Sequence, residues 1–283
     1  MELLNKVVMK RLFIVLFFTL FCNIFPQSSL DFFPSELNIQ PFTANILEPK
    51  LGFLTQFDKN DIRLDIGNSM DLIHYSPDSS QVYSFGADLF TYTLLRGENN
   101  FHFPVDAVDY LFGVNFGYSK NLGNIKFETR FRISHISAHF VDGHFDGTNN
   151  KWRNDHSPRV YSREFFELIP SVRYKDLRVY AGYTYIYHID PEWIGKNNYQ
   201  AGIEYFANGI IHNLITPFAA YDIKLIQVGK TTACNSFMLG CKIGISESRG
   251  ISVYFQHYSG KSIHGEYFDY NKKYNAFGVN LDL

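Results

Sequence analysis

Residues able to do chemistry concentrate in the segment Ser134-His-Ile-Ser-Ala-His-Phe-Val-Asp-Gly-His144. His135, Ser137 and His139 are spaced two apart, so on an extended strand their side chains project from one face. An imidazole two residues from a serine can accept the hydroxyl proton and turn the oxygen into a nucleophile. The segment therefore predicts Ser137 as a nucleophile and His135 as its base.

A third polar group on a neighbouring strand is expected to orient the imidazole, and Glu164 has a suitable register for that role. His139 and Asp142 are further candidates in the same region. The alternative interpretation is that these side chains are polar groups at the rim of a sheet, or that a bulge turns them inward.

The spacing His-x-Ser also recurs at His74-Tyr-Ser76 and His257-Tyr-Ser259. Nothing in the strand pattern places either of these serines beside both a polar neighbouring strand and a His-rich loop. We therefore expect Ser76 and Ser259 to serve as internal controls for Ser137.

Metal binding is another possible use of the same histidines. His135 and His139 stand about 13 Å apart on an extended strand, too far for one ion, although either could meet His257 or His264 from elsewhere in the chain. The sequence also contains no phosphate loop, dinucleotide-binding fingerprint or cysteine cluster for zinc. We predict no metal and no cofactor.

The elements that must carry these residues are β-strands. Phe277, Val279, Leu281 and Leu283 alternate with polar or small residues in the last segment, as expected for a strand that is apolar on one face. Aromatic residues make up 17% of the chain, with 28 Phe and 19 Tyr, yet its mean hydropathy is only -0.15. An apolar lipid-facing side and a polar lumen produce that combination. The pattern predicts an all-β fold, a transmembrane antiparallel barrel of about 12 strands, near residues 50–57, 61–75, 82–94, 108–119, 124–140, 162–175, 177–188, 198–206, 215–227, 236–246, 250–259 and 274–283.

The N-terminus has the pattern of a secretory signal. Lys6, Lys10 and Arg11 precede an apolar run over residues 12–21, which is too short to span a bilayer as a helix. We predict a signal peptide at 1–27, an outer-membrane barrel at 28–283, and an irregular stretch over 28–48 at its start. The net charge of -2 gives no electrostatic basis for nucleic-acid binding.

Long and short connections alternate along the predicted strands. Residues 95–107, 141–161, 189–197 and 260–273 are long, whereas 119–123, 175–176 and 247–250 have the chemistry of tight turns. Outer-membrane barrels place their long loops outside the cell and their short turns in the periplasm. The hairpin at 58–60 departs from this alternation.

Charged residues on two predicted strands share the face opposite the aromatic side chains. Exposing cations to lipid at mid-bilayer costs about 2 to 4 kcal/mol each, so we expect this face to line the lumen. It forms either a structural ion-pair network or a selective constriction. Its members are Glu128, Arg130, Arg132, Arg163, Glu167 and Arg173.

Two resemblances bear on function. The His-x-Ser pair on an outward strand face resembles the arrangement in outer-membrane phospholipase A and lipid A deacylase, which implies lipid hydrolysis by Ser137 and His135. Those families have Asn after the serine, where this sequence has Ala138. A broader resemblance, to an uncharacterised bacterial family with a barrel-like membrane architecture, is carried by His135-Ile-Ser-Ala-His139 with Asp142, by residues 180–191 and 200–204, and by residues 258–268, which include His264.

Two hypotheses of function remain open. The first is a barrel without enzymatic activity, acting as a narrow pore or as a structural or interaction protein. The second is a lipid esterase acting at the membrane surface on membrane lipids or lipopolysaccharide. In either case we expect a monomer or a loose homodimer.

Overall fold

The computed structural model describes residues 28–210, 212 and 214–283, and the predicted signal peptide at 1–27 lies outside the described residues. Fifteen strands alternate with loops and four single-turn 3-10 helices. In chain order the strands are β1 Ser29–Phe32, β2 Leu51–Gln56, β3 Asp61–Asp78, β4 Gln81–Arg96, β5 Val105–Leu122, β6 Ile125–Phe140, β7 Phe145–Asp146, β8 Lys151–Trp152, β9 Tyr161–Tyr174, β10 Leu177–Asp190, β11 Asn197–Phe206, β12 Ile215–Val228, β13 Lys230–Ile243, β14 Gly250–Lys261 and β15 Asn271–Asp282.

Twelve of these strands close into one antiparallel barrel. Each pairs with its neighbours in chain order, omitting β7 and β8, and β15 closes the ring against β2. β1 adds a short ladder on β3 beyond the end of β2. The predicted all-β barrel of about twelve strands is confirmed. Within the described residues, no helix has the length and apolarity needed to cross a membrane.

The two ends of the barrel differ in their connections. One end, the loop end, carries the long loops 97–104, 141–160, 191–196 and 262–270. The other end, the turn end, carries the turns 79–80, 123–124 and 175–176 together with residues 207–214 and 244–249. The hairpin at 57–60 is short although it lies at the loop end, as the sequence indicated.

Some predicted strand boundaries were wrong. A connection was expected between residues 227 and 236, but β12 and β13 are joined by Gly229 alone, whose φ of 73° suits glycine. Residues 29–32 were expected to be irregular and instead form β1. Lys230, Thr231 and Thr232 form a polar run that resembles a loop in the sequence, but they begin β13, and the turn itself needs only one left-handed glycine.

Side chains alternate between an apolar outer face and a polar interior. On β6, Glu128 and Arg132 are buried inside the barrel, whereas Phe127 is exposed on the outer wall. Leu89, Phe112 and Val172 continue the exposed apolar surface on other strands. This surface requires a lipid environment, because soluble proteins rarely expose an apolar band of that extent.

Residues 33–50, the luminal segment, connect β1 to β2. Residues 33–36 are mostly exposed, and residues 37–50 run inside the barrel. Phe42 is fully buried between Tyr180 and the guanidinium groups of Arg130 and Arg178. Glu48 is also buried, at 1% exposure. The irregular stretch predicted from its prolines therefore fills the centre of the lumen.

Candidate functional site

The site begins with the upper part of β6, which runs toward the loop end. Ser134, Ile136 and Ala138 are buried inside, so His135 and Ser137 project from the outer face. The side chain of His135 is 27% exposed. No bulge interrupts β6 in this region, where its pairing with β5 and β9 is continuous.

Glu164 on β9 lies between two imidazoles. Its Oε1 is 2.5 Å from Nδ1 of His135, and its Oε2 is 2.5 Å from Nδ1 of His188 on β10. His135 and Glu164 are directly paired across β6 and β9, and Glu164 and His188 across β9 and β10. Three adjacent strands thus contribute one side chain each to a single polar row on the outer wall.

The row is suited to general-base chemistry. A carboxylate that accepts a hydrogen bond from Nδ1–H fixes the tautomer of His135 and leaves its Nε2 as the free basic nitrogen. Glu164 also stabilises the imidazolium that forms when His135 takes up a proton.

Ser137 follows His135 along the same face, about 6.6 Å further along the strand. Its register partners are Tyr110 on β5 and Ser162 on β9. Among the described residues, Ser137 and His135 are not joined by a hydrogen bond, and the observed partner of the imidazole is Glu164. A catalytic pair would need the side chain of Ser137 to rotate toward Nε2 of His135 on substrate binding. Catalytic hydrogen bonds are often long or poorly aligned in free enzymes and tighten in the complex.

Aromatic side chains surround the polar row. The ring of Phe112 lies 4.9 Å from that of His135, and Phe166 lies 4.8 Å from Tyr187 and 6.0 Å from Phe131. This environment is apolar and continuous with the outer wall. A lipid acyl chain would therefore contact the same surface that carries His135 and Ser137.

The other site candidates lie apart from this row. His139 is exposed on the outer face beside Tyr110, with 6.1 Å between the ring centres, and Asp142 is exposed in a 3-10 turn. His264 is buried, and its Nδ1 lies 2.8 Å from Asp109 Oδ2. His264 therefore belongs to the closure of the loop end and does not meet His135 or His139.

No group of three or more His, Cys, Asp or Glu side chains in the part of the chain that the structure describes is arranged to hold a metal ion. His257, the other histidine considered as a metal partner, binds Asn275 through Nδ1 at 2.8 Å. Cys234 and Cys241 are free thiols.

The charged residues expected in the lumen lie inside the barrel and form a network with the luminal segment. Arg132 Nε donates to Glu167 Oε1 at 2.8 Å, and Arg130 donates to both carboxylate oxygens of Glu48. Glu128 lies 3.7 Å from Arg178. Further members are Arg173, 3.5 Å from Glu247, and Arg163, whose guanidinium lies 5.7 Å from the ring of Phe165.

The sequence did not reveal His188. Alternation along β10 from the buried Thr184 and Ile186 would turn residue 188 inward. A bulge between Ile186 and His188 shifts the register, so Tyr187 and His188 both face outward. A bulge leaves no residue signature that periodicity could detect.

A second arrangement of the same kind was also missed. His257 and Ser259 project from the outer face of β14, and Asn275 of β15 is paired directly with His257. Ser259 therefore has a polar residue on the neighbouring strand, one of the two features expected together only at Ser137. Ser76 differs, because His74 bonds Asp71 of its own strand at 2.7 Å.

The long loops close the barrel above this site. His144 is fully buried, with Nδ1 2.9 Å from Asp106 and Nε2 2.7 Å from the carbonyl oxygen of His156. Burial, with the nearby Arg159 charge, lowers the pKa of His156, whereas burial raises the pKa of Glu266. His156 Nδ1 lies 3.0 Å from the hydroxyl of Tyr270 and its Nε2 lies 3.2 Å from the carbonyl oxygen of Glu266, so loops 141–160 and 262–270 are joined over the mouth of the barrel.

The closed twelve-stranded wall, its apolar outer face and its charged interior define the class: this is a β-barrel of the outer-membrane type. The chain belongs to the family described as proteins of unknown function (DUF1207), whose model matches residues 108–283. This confirms the resemblance to an uncharacterised barrel family. No curated protein is similar enough in sequence to count as a match.

Two solved outer-membrane phospholipases share the fold, and further solved barrels are similar to a lesser degree. Outer membrane phospholipase A from Escherichia coli has a TM-score of 0.51 and 14% identity, covering 87% of this chain and 94% of that chain. The Salmonella typhi outer membrane phospholipase dimer with bound calcium has a TM-score of 0.50 and 15% identity, covering 86% and 94%. LpxR from Salmonella typhimurium is similar at a TM-score of 0.32 and 11% identity, covering 79% of this chain and 88% of that one. At these identities the likeness establishes the architecture alone.

Proposed function

We propose that this barrel is a lipid esterase, with Ser137 as nucleophile, His135 as general base and Glu164 as the group that orients His135. The observation that carries the proposal is the hydrogen-bond distance of 2.5 Å between His135 Nδ1 and Glu164 Oε1 on an apolar outer wall. Polar side chains that face lipid raise the free energy of the folded barrel, and a wall with a purely structural role would do without them. A catalytic role on membrane lipids accounts for the presence of these polar side chains on the outer wall.

The proposed reaction has two stages. His135 Nε2 takes the hydroxyl proton while Ser137 Oγ bonds to the ester carbonyl carbon, and the imidazolium then protonates the departing alcohol as the ester bond breaks. Water, deprotonated by His135, next releases the fatty acid and restores Ser137. Glu164 remains ionised throughout and stabilises the imidazolium.

The site's position in the membrane follows from its position on the wall. It lies at the loop end, which faces outward from the cell in outer-membrane barrels. We infer that the protein resides in the outer membrane of a Gram-negative bacterium and takes acyl esters of phospholipid or lipopolysaccharide from the outer leaflet. Similar solved barrels include a phospholipase and a phospholipase dimer, which is compatible with a lipid substrate and a loose homodimer.

The test is release of fatty acid from phospholipid vesicles and from lipopolysaccharide by the refolded full chain. Ser137→Ala and His135→Ala should each remove most activity, and the double variant should lose little more, because members of one catalytic unit act non-additively. Ser76→Ala is the matched control and should retain activity. Absence of hydrolysis by the wild type, or equal losses from both serines, would refute the assignment.

The pair His257 and Ser259 is the competing site for the same reaction. Asn275 Oδ1 lies 2.8 Å from His257 Nδ1, and Lys273 is the register partner of Ser259. We favour Ser137 because a carboxylate stabilises an imidazolium better than an amide does. If Ser259→Ala lost activity and Ser137→Ala kept the normal rate of hydrolysis, the active site would be assigned to β14.

The non-enzymatic hypothesis also has an observation in its favour. The luminal segment occupies the interior, and its Glu48 is held by Arg130, so the charged network has a structural role that needs no catalysis. A narrow pore would have to conduct around this segment. Single-channel recordings of the full chain that give a steady open conductance would support the pore.

A further inference from the structure

A cavity of about 830 Å³ lies at the turn end of the barrel, between the luminal segment and the wall. Its volume is in the range of small-molecule sites. Phe206, Phe218 and Met238 form an apolar part of the lining, and Lys50 is among the charged lining residues. The cavity is thus amphipathic.

Lys50 is a buried cation without a partner. It is 9% exposed, and among the described residues no carboxylate oxygen lies within 4.0 Å of its Nζ. Three carboxylates act on it from beyond that distance, and each has a cationic partner within 4.0 Å. Glu48 binds Arg130, Asp65 binds Arg63, and Asp282 binds Lys242. Arg63 adds a second positive charge close by, and its Nη1 also lacks a hydrogen-bond partner.

Two other basic groups of this cavity are paired with carboxylates. Arg178 forms an ion pair with Glu204, and Lys242 lies 3.1 Å from Asp282. Burying a charge without a partner is unfavourable. A ligand that brings an anionic group to Lys50 would recover part of that cost.

The cavity also reaches a gap in the wall. β3 pairs with β2 up to Ile66 and with β1 from Ile73 onward, and the carbonyl oxygen of Leu72 accepts a hydrogen bond from the backbone of Phe33. Residues 67–71 have no partner strand on that side. The lining includes Asn68 and Met70, which project outward from β3. A molecule with an apolar chain therefore has a sideways route from the membrane to Lys50.

We propose that this cavity binds an amphiphile with an anionic head, a carboxylate or a phosphate, whose head contacts Lys50 and whose short apolar chain packs on Phe206, Phe218 and Met238. The proposal is independent of catalysis at Ser137, because the cavity lies at the opposite end of the barrel.

Calorimetric titration of the full chain in a neutral detergent tests it, with hexanoate, hexyl phosphate, inorganic phosphate and hexanol as probes. Hexanoate or hexyl phosphate should bind, and hexanol and inorganic phosphate should bind much more weakly. Lys50→Met should weaken the binding by about tenfold to a hundredfold, the loss expected for one hydrogen bond to a charged group. Lys50→Arg should retain binding, and Lys151→Met, in an exposed loop, should not change it.

Three results would overturn the proposal: no binding of either amphiphile, equal binding by Lys50→Met, or binding of inorganic phosphate as tight as that of hexyl phosphate. The relative affinity of hexanoate and hexyl phosphate identifies the head group. Should Lys50→Met fail to fold, chemical acetylation of the wild-type lysines, with and without bound probe, tests whether the probe contacts Lys50. The bound probe should protect Lys50, but not Lys151, and equal modification with and without probe would contradict the assignment.

Discussion

Glu48 accepts a hydrogen bond at 2.7 Å from Nη1 of Arg130 and another at 2.5 Å from Nη2, across 82 residues of sequence. Both side chains are almost completely buried. The pair fastens the luminal segment to the barrel wall. The lumen of this protein is therefore organised around an arginine of β6 and a carboxylate of the luminal segment.

Replacing Arg130 with Ala should lower the free energy of unfolding by about 3–5 kcal/mol, because it leaves the buried Glu48 without its partner. Urea unfolding of the refolded protein in detergent measures the change. Lys151→Ala, in an exposed loop, is the control and should be neutral. An unchanged midpoint for Arg130→Ala would mean that Glu48 is solvated or paired differently.

If Glu164 orients His135, then Glu164→Gln should lower the rate of lipid hydrolysis by up to about 10⁴-fold, as loss of the carboxylate does in serine-protease triads. His188→Gln should have a smaller effect, because His188 touches Glu164 and not His135. Rates for both variants should be measured on vesicles over a range of substrate concentrations. A larger loss from His188→Gln than from Glu164→Gln would reverse the roles assigned to them.

The loop closure should loosen in mild acid. The pKa of His156 is lowered in the folded protein, so its contribution to stability is complete above its unfolded pKa of about 6.5 and is lost as the pH falls. Hydrogen exchange of loop 141–160, corrected for intrinsic rates, should therefore be faster at pH about 5 than at pH about 7. Glu266 acts in the opposite direction, since its raised pKa gives stability that is lost as the pH rises. His156→Gln isolates the first effect, and an undiminished pH dependence in that variant would exclude His156 as its source.

The two cysteines report the facing of β13. Cys241 is exposed on the outer wall, whereas Cys234 is buried, with its sulfur 3.3 Å from the backbone nitrogen of Lys261. In lipid nanodiscs, a membrane-soluble maleimide should modify Cys241 much faster than Cys234, as followed by peptide mass spectrometry. Faster modification of Cys234 would show that the faces are inverted.

Strand number and facing were predictable because they depend on local alternation. Glu128 and Arg132 share one parity and Phe127 the other, and a two-residue period is visible without any knowledge of the partners. Strand ends were less predictable where a single glycine makes the turn, as between β12 and β13.

The site was only partly predictable, because its contacts depend on register between strands. Glu164 could be proposed since β6 and β9 are joined by one loop and pair without interruption. His188 depends on a bulge, and Asn275 on the alignment of β14 with β15 across loop 262–270. Glu48 lies in the irregular luminal segment, where no alternation of side chains reveals which way a residue faces. The sequence could therefore place Arg130 in the lumen but could not identify Glu48 as its partner.

The luminal segment continues directly into β2, which closes the ring against β15. The backbone nitrogen of Thr43 in this segment donates to Glu204, 161 residues later, so such contacts form only when most of the wall exists. A ring closed with residues 33–50 outside would have to thread them back past buried charges. Entry of the segment while the sheet is still open avoids that passage, so the order of assembly bears on whether the finished barrel is correctly filled.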